Sequence, residues 1–194
     1  ILLQQWMNSC VKLQSMKRVF DLILAASLFL LLLIPLLLAT ILVITTSKGS
    51  ALYYSDRIGK NNSIFKMPKF RSMLTGTPAV ATHLLDNPGA YLSPIGGFLR
   101  STSLDELPQL FSVLKGDMSF VGPRPALFNQ EDLISLRTEK GVDKLLPGIT
   151  GWAQVNGRDE LSIPDKVALD VEYLNRQSFW FDMKILWMTF LKVI

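Results

Sequence analysis

Between Leu22 and Ile44 the chain reads LILAASLFLLLLIPLLLATILVI, without a single charged side chain. A helix needs about 20 apolar residues to cross a bilayer core, so this run constrains the fold more than any other feature. It is too long for a cleavable signal, and no small-residue cleavage site follows it. On length alone it reads as a spanning helix. Two features favour a different path. Pro35 lies mid-run, where it removes a backbone hydrogen bond and bends the helix. The flanks also match in sign: Lys12, Lys17 and Arg18 precede the run, and Lys48, Arg57, Lys60, Lys66, Lys69 and Arg71 follow it. Asp56 is the only acid between residues 48 and 71. Basic flanks mark the cytoplasmic side, so both ends belong there. The expectation is a re-entrant hairpin bent at Pro35, dividing the chain into a membrane segment, 1–47, and a membrane-associated catalytic domain, 48–194.

The rest of the composition narrows the chemistry. A chain of 194 residues with net charge +4 holds one ordinary domain and suits an anionic partner. A phosphate-bearing substrate and an anionic lipid surface both qualify; nucleic acid is not expected. The single cysteine, Cys10, excludes a disulfide framework, and the single histidine, His83, argues against a Ser/His/Asp triad or a histidine metal site. Acid–base and metal chemistry must therefore come from carboxylates. The sequence opens on Ile1 rather than Met, as a processed or truncated chain would.

Beyond the membrane segment the pattern is α+β. Residues 51–59 and 63–73 read as strands around a turn at Lys60–Ser63. Residues 74–97 form a long irregular loop. A helix is expected over Leu104–Leu114, closed by Gly116. Ser103 and Glu106 have capping-box spacing, Asp105 is an alternative cap, and Pro108 should distort the first turn. Residues 146–158, LPGITGWAQVNGR, read as loop, and Ser162–Asn175 as helix. The end, FWFDMKILWMTFLKVI, is either an interfacial amphipathic helix or a terminal helix docked on the core.

The adjacent acids Asp105 and Glu106 sit among leucines. A helix cap accounts for them, but a helix N-terminus is also an anion site, and carboxylates there compete with phosphate unless a cation joins them. Mg²⁺ does so, taking one or two carboxylates and completing its shell with phosphates and water. Phosphate-binding groups lie close in sequence. Arg100 is just upstream, and Arg124 is held between Pro123 and Pro125, with Gly122 allowing close backbone approach. Lys66, Lys69 and Arg71 are expected along one strand face, as a solvated or headgroup patch or as phosphate ligands. Together these point to phosphoryl chemistry at a membrane surface, where a carboxylate binds metal or attacks phosphorus.

LDELPQLFSVLKGDMSFVGPRP, followed by PGITGWAQVNGR, resembles the bacterial sugar transferase family, the monotopic phosphoglycosyl transferases. The resemblance runs from Lys17-Arg18-Val19-Phe20-Asp21 to the last helix, and matches the minimal catalytic form of the polyprenyl-phosphate N-acetylhexosamine-1-phosphate transferase type. It implies transfer of a sugar-1-phosphate from a UDP-sugar to undecaprenyl phosphate, with UMP released through a covalent aspartyl-phosphosugar. On that reading Asp105 is the nucleophile and Glu106 its partner, the two also holding Mg²⁺. Arg100, Arg124, Arg158 and the flanking Pro123 and Pro125 bind substrate, and Lys66, Lys69 and Arg71 meet the polyprenol phosphate. The family's membrane anchor is a re-entrant helix broken at a proline that commonly follows serine; here the pair is Ile34-Pro35. The implied location is the cytoplasmic face of the bacterial inner membrane, among its lipids and beside downstream glycosyltransferases. Oligomeric state is not implied. The alternatives are a non-catalytic scaffold of a polysaccharide assembly complex and a direct glycosyltransferase that releases UDP.

Overall fold

The computed structural model describes residues 2–78, 80, 85–157 and 160–193, with side chains from Gln14 to Lys192. Arg158 and His83 lie outside the described residues. Helices and short strands mix throughout, giving the expected α+β class.

The apolar run is not one helix. Helix α1 (Leu2–Leu31) and helix α2 (Leu33–Thr46) meet at Leu32 with a bend of 63°. The position of the break follows from Pro35, which has no N–H to donate and whose ring crowds the carbonyl of Leu31, four residues back. No single helix among the described residues is long and apolar enough to cross a membrane. The bend itself is bare: Leu30, Leu31 and Ile34 are 73%, 75% and 69% exposed.

Both limbs nonetheless dock on the rest of the chain. Ala25 of α1 is fully buried in the main core, with Phe65, Met67, Val113, Met118 and Ile185. Leu36, Ala39 and Val43 of α2 form a second core with Phe70 and Leu99. Polar side chains pin α1 in place. Arg18 donates to the Val113 and Leu114 carbonyls at 2.5 and 2.8 Å, capping the end of helix α4 (Leu110–Lys115). Lys17 pairs with Asp182 at 2.5 Å and donates to the Val121 carbonyl at 2.9 Å. Asp21 accepts from the Phe120 amide at 3.2 Å. Lys17 and Arg18 are therefore internal ties, not the free flanking charges the sequence suggested.

Strands β1 (Leu52–Ile58) and β2 (Ile64–Phe70) form the expected antiparallel hairpin. Its turn passes through left-handed Asn61 and Asn62, a conformation asparagine tolerates. The register sets Arg57 against Phe65, Ser55 against Met67 and Tyr53 against Lys69. Successive strand side chains alternate faces, so Lys66, three residues from Lys69, points to the other side. There it pairs with Asp56 at 3.1 Å, and the expected single basic face does not exist.

Among the described residues of the 74–97 loop Pro88–Tyr91 forms a 3₁₀ turn, and the loop leads into helix α3 (Gly96–Ser101). The predicted 104–114 helix is split: Leu104–Gln109 is a 3₁₀ turn and only α4 is α-helical. Pro108 inside the turn explains the distortion, and Gly116 closes α4 at φ +100° as expected. The capping box does not form. Ser103 is itself left-handed and makes no side-chain cap, and the Glu106 carboxylate turns to Lys69 and Arg124 instead of the backbone.

Strand β3 (Ser119–Val121) pairs in parallel with β4 (Gly148–Thr150), and helix α6 (Trp152–Asn156) follows. Residues 146–157 thus carry more regular structure than their glycines suggested. Gly122 does allow a close approach, but to the chain itself: a Cβ there would lie 2.3 Å from the Leu146 carbonyl oxygen. Helix α5 (Glu131–Glu139) lies between the two strands in sequence. Helix α7 (Ile163–Arg176) begins at an N-cap by Ser162, and helix α8 (Phe179–Val193) ends the described chain. α8 docks Phe181 and Ile185 in the core while Trp180 and Trp187 stay exposed.

Candidate active site

The hairpin packs against the Leu104–Gln109 turn, so the end of β2 meets the acid pair. Lys69 donates to Glu106 Oε1 at 2.7 Å, and Arg124 donates to the same oxygen at 2.8 Å. The two carboxylates consequently differ. Burial works to raise the Glu106 carboxyl, but Arg124 and Lys69 outweigh it and hold it well below the usual carboxylate range. Asp105 makes no ion pair among the described residues. Burial raises its pKa, and the Glu106 charge adds to this, against the pull of Lys69 and Arg100. Neighbouring acids whose environments push them apart are suited to different roles. Glu106 is a fixed anion that organises cations, whereas Asp105 is a buried carboxylate with a raised pKa.

Arg124 is delivered by a loop that is otherwise buried. Pro123 and Pro125 are both buried, and only the Arg124 side chain is open, at 42% exposure. The prolines therefore shape the loop, and Arg124 is its presented group. Arg100 stands at the end of α3, close enough for its charge to act on Asp105. Arg71 lies past the end of β2 and bonds the Ser50 carbonyl and hydroxyl at 2.9 and 3.2 Å, tying the α2–β1 connection. Of the basic residues expected in the site, the structure brings together Lys69, Arg100 and Arg124; it sets Lys66 and Arg71 apart.

Arg57 joins the cluster, and the sequence reading passed over it as one of several flanking charges. It sits on the same hairpin face as Ser55 and the Tyr53–Lys69 pair, and its signal was strand parity, because residues 53, 55 and 57 share a face. Burial, and then the nearby Arg124 charge, lower its pKa to about 10. Burial likewise lowers that of Lys69, against the attraction of Glu106. Cations outnumber carboxylates around the dyad, so the site carries excess positive charge for an anionic ligand. A cavity of about 30 Å³ behind the Arg124 loop, lined by Ile58, Pro125, Arg137 and Val142, is far too small for a nucleotide sugar.

For Mg²⁺ the donors fit in kind. Asp105 offers hard oxygens without an ion pair, and the Lys69 and Arg124 bonds fall on Oε1 of Glu106, not Oε2. Among the described residues no group of three or more His, Cys, Asp or Glu side chains is arranged to hold a metal. An ion here would need substrate phosphates to complete its shell, which is how Mg²⁺ is often held.

The bacterial sugar transferase family model matches residues 12–194. The chain is 42% identical over 183 residues to an uncharacterized sugar transferase, EpsL, of Bacillus subtilis, covering 92% of this chain and 87% of that protein. It is 41% identical over 186 residues to the UDP-glucose:undecaprenyl-phosphate glucose-1-phosphate transferase of Escherichia coli, covering 91% of this chain and 40% of that one. It is 43% identical over 185 residues to the undecaprenyl-phosphate glucose phosphotransferase of Komagataeibacter xylinus, covering 89% and 35%. The chain thus spans most of the first relative and well under half of the other two. This chain belongs to the bacterial sugar transferase family.

Proposed function

We propose that the protein transfers a sugar-1-phosphate from a UDP-sugar to undecaprenyl phosphate and releases UMP. The observation that carries this reading is the division of labour in the dyad: Glu106 is neutralised by Lys69 and Arg124, while Asp105 is a buried carboxylate with no ion pair among the described residues. In the first step an Asp105 oxygen attacks the phosphorus that bears the sugar. The bridging P–O bond breaks, its electrons leave with UMP, and an aspartyl-phosphosugar remains. In the second step a phosphate oxygen of undecaprenyl phosphate attacks the same phosphorus and frees the Asp105 carboxylate. Arg124, Arg100 and Lys69 neutralise the diphosphate and its developing charge, which is the main demand of phosphoryl transfer. Mg²⁺, held by Asp105 and Glu106, would supply further neutralisation of the diphosphate. Arg158 would serve as an additional phosphate ligand.

The same reading assigns residues 1–47 to a re-entrant membrane hairpin and 48–194 to a domain on the cytoplasmic face of the inner membrane. What supports it is that both limbs of the bent pair dock on one body while the leucines at the bend are bare. The exposed Trp180 and Trp187 of α8 suit the headgroup layer. The Escherichia coli and Komagataeibacter relatives are named for glucose, so UDP-glucose heads the donor panel, with UDP-galactose and UDP-N-acetylhexosamines beside it.

The test is UMP release from that panel with undecaprenyl phosphate, and exchange of labelled UMP into UDP-sugar without the acceptor. Both are expected in the native protein with Mg²⁺, and both should vanish in Asp105→Asn while the fold is retained. Release of UDP would indicate direct glycosyl transfer, and no release from any donor would favour a scaffold. Full activity in Asp105→Asn would remove the nucleophile assignment.

A further inference from the structure

The segment from Gly122 to Leu127 is held by its backbone to an unusual degree. The Gly122 amide donates to the Thr150 carbonyl at 2.9 Å, and the Pro123 carbonyl accepts from the Gly148 amide at 2.9 Å. The Ala126 carbonyl accepts from the Ile58 amide at 2.9 Å, and the Leu127 carbonyl from the Gln130 amide at 3.1 Å. These four bonds are backbone to backbone. The two carbonyls between them, those of Arg124 and Pro125, are taken by arginine side chains. Arg137 Nη1 donates to the Arg124 carbonyl at 2.8 Å, and Arg57 Nη1 donates to the Pro125 carbonyl at 3.1 Å.

Each arginine is anchored from behind. Arg137, on α5, gives Nε and Nη2 to Asp170 Oδ2 of α7 at 2.9 and 2.6 Å, in a pair whose side chains are 9% and 2% exposed. Arg57, on β1, gives Nε to Ser55 Oγ at 3.1 Å. A guanidinium suits this task because its fixed fork bonds an anchor and a carbonyl together; an ammonium offers only a point charge. A buried arginine next to another cation is costly, so its place here needs a return. Arg57 lies close enough to Arg124 to be depressed by its charge. What it secures is the carbonyl immediately after Arg124.

We infer that Arg57 and Arg137 are positioning residues for Arg124, clamping the loop from opposite sides so that its guanidinium stays on Glu106. This rests on the proposed reaction for its kinetic consequence, but the clamp itself does not. Proline on either side of Arg124 removes amide donors from the loop, so the loop cannot zip into a strand. Carbonyls at 124 and 125 would then be left to water unless side chains took them. The flanking prolines and the two arginines are thus parts of one device.

Two measurements test it. The first needs no turnover: amide hydrogen exchange of residues 122–127 in the full-length protein. In Arg57→Gln and Arg137→Gln the loop amides should exchange about tenfold faster or more, while those of β2 and α4 keep native protection. Unchanged loop exchange, or an equal loss of protection throughout, overturns the clamp. The second is a double-variant cycle on UMP release. Arg57→Gln should lower kcat/KM about tenfold or more in the native background, but less than about threefold in an Arg124→Gln background, since residues acting through one another are not additive. Additive losses would mean that Arg57 meets substrate itself, and would overturn the inference. Arg57→Lys, which keeps the charge but loses the fork, should behave like Arg57→Gln; full activity there also overturns it. If the native protein releases UMP from no donor, the proposed reaction fails while the exchange result still decides the clamp.

Discussion

Asp105 and Glu106 are neighbours in sequence with opposite electrostatic surroundings, and this has a consequence in pH. In the proposed mechanism Asp105 must be ionised to attack, and burial together with the Glu106 charge raises its pKa. Activity should therefore be lost at the acid end at a higher pH than for an ordinary carboxylate, and return as pH rises through that raised value. Glu106→Gln removes the repelling charge and frees Lys69 and Arg124, so the Asp105 pKa should fall. The acid limb of a pH–kcat profile is expected to move to lower pH in this variant. At the same time kcat should drop about a hundredfold, because Lys69 and Arg124 lose their common anchor and drift. An acid limb that stays in place would mean that another group titrates there. The sequence made the pair conspicuous, and the family resemblance implied Asp105 as the nucleophile, but spacing alone did not separate the two acids. Capping-box spacing pointed Glu106 back at its own backbone, whereas the fold brings Lys69 and Arg124 from elsewhere to claim it.

At the scale of elements, the bend at Leu32 was legible because proline acts locally, through its missing N–H and its own ring. The same holds for the hairpin turn at Lys60–Asn62, the left-handed Gly116 and the Ser162 cap, all decided within a few residues. Pro35→Ala restores the donor and removes the clash, so a continuous helix long enough to span becomes available. Cysteine labelling in membrane vesicles reads the outcome. In the native background Cys10 and Lys48→Cys should label from the same face. In Pro35→Ala a fraction of molecules should label from opposite faces, and opposite-face labelling in the native background would exclude the hairpin. Strand β4 and helix α6 were missed because a two-strand parallel pair has no local signature. It exists only where Gly122 and Gly148 let two distant backbones touch.

Across the whole molecule, the bent apolar segment and the rest of the chain are fastened by a polar knot of long sequence separation. Lys17 from α1 meets Asp182 from α8, and Tyr173 from α7 donates to Asp182 Oδ1 at 2.7 Å. With both ionic side chains nearly buried, Lys17→Met strands a buried charge and should cost about 3–5 kcal/mol, read as a lowered unfolding midpoint in detergent. Lys17→Met combined with Asp182→Asn should recover most of that loss; no recovery would mean that Lys17 acts mainly through the Val121 carbonyl. In the sequence these residues looked like a topogenic charge and a lone helix acid. The sequence by itself determined the α+β class of the chain, the place of the bend, the hairpin turn and the Gly116 helix stop, because each depends on a few adjacent residues. Only the tertiary structure decided which cations reach Glu106, that Lys66 and Arg71 stand outside, and that Arg57 and Arg137 hold the loop. Those pairings join residues far apart in the chain, and charge–charge contact depends on folded distance, which spacing along a sequence does not encode.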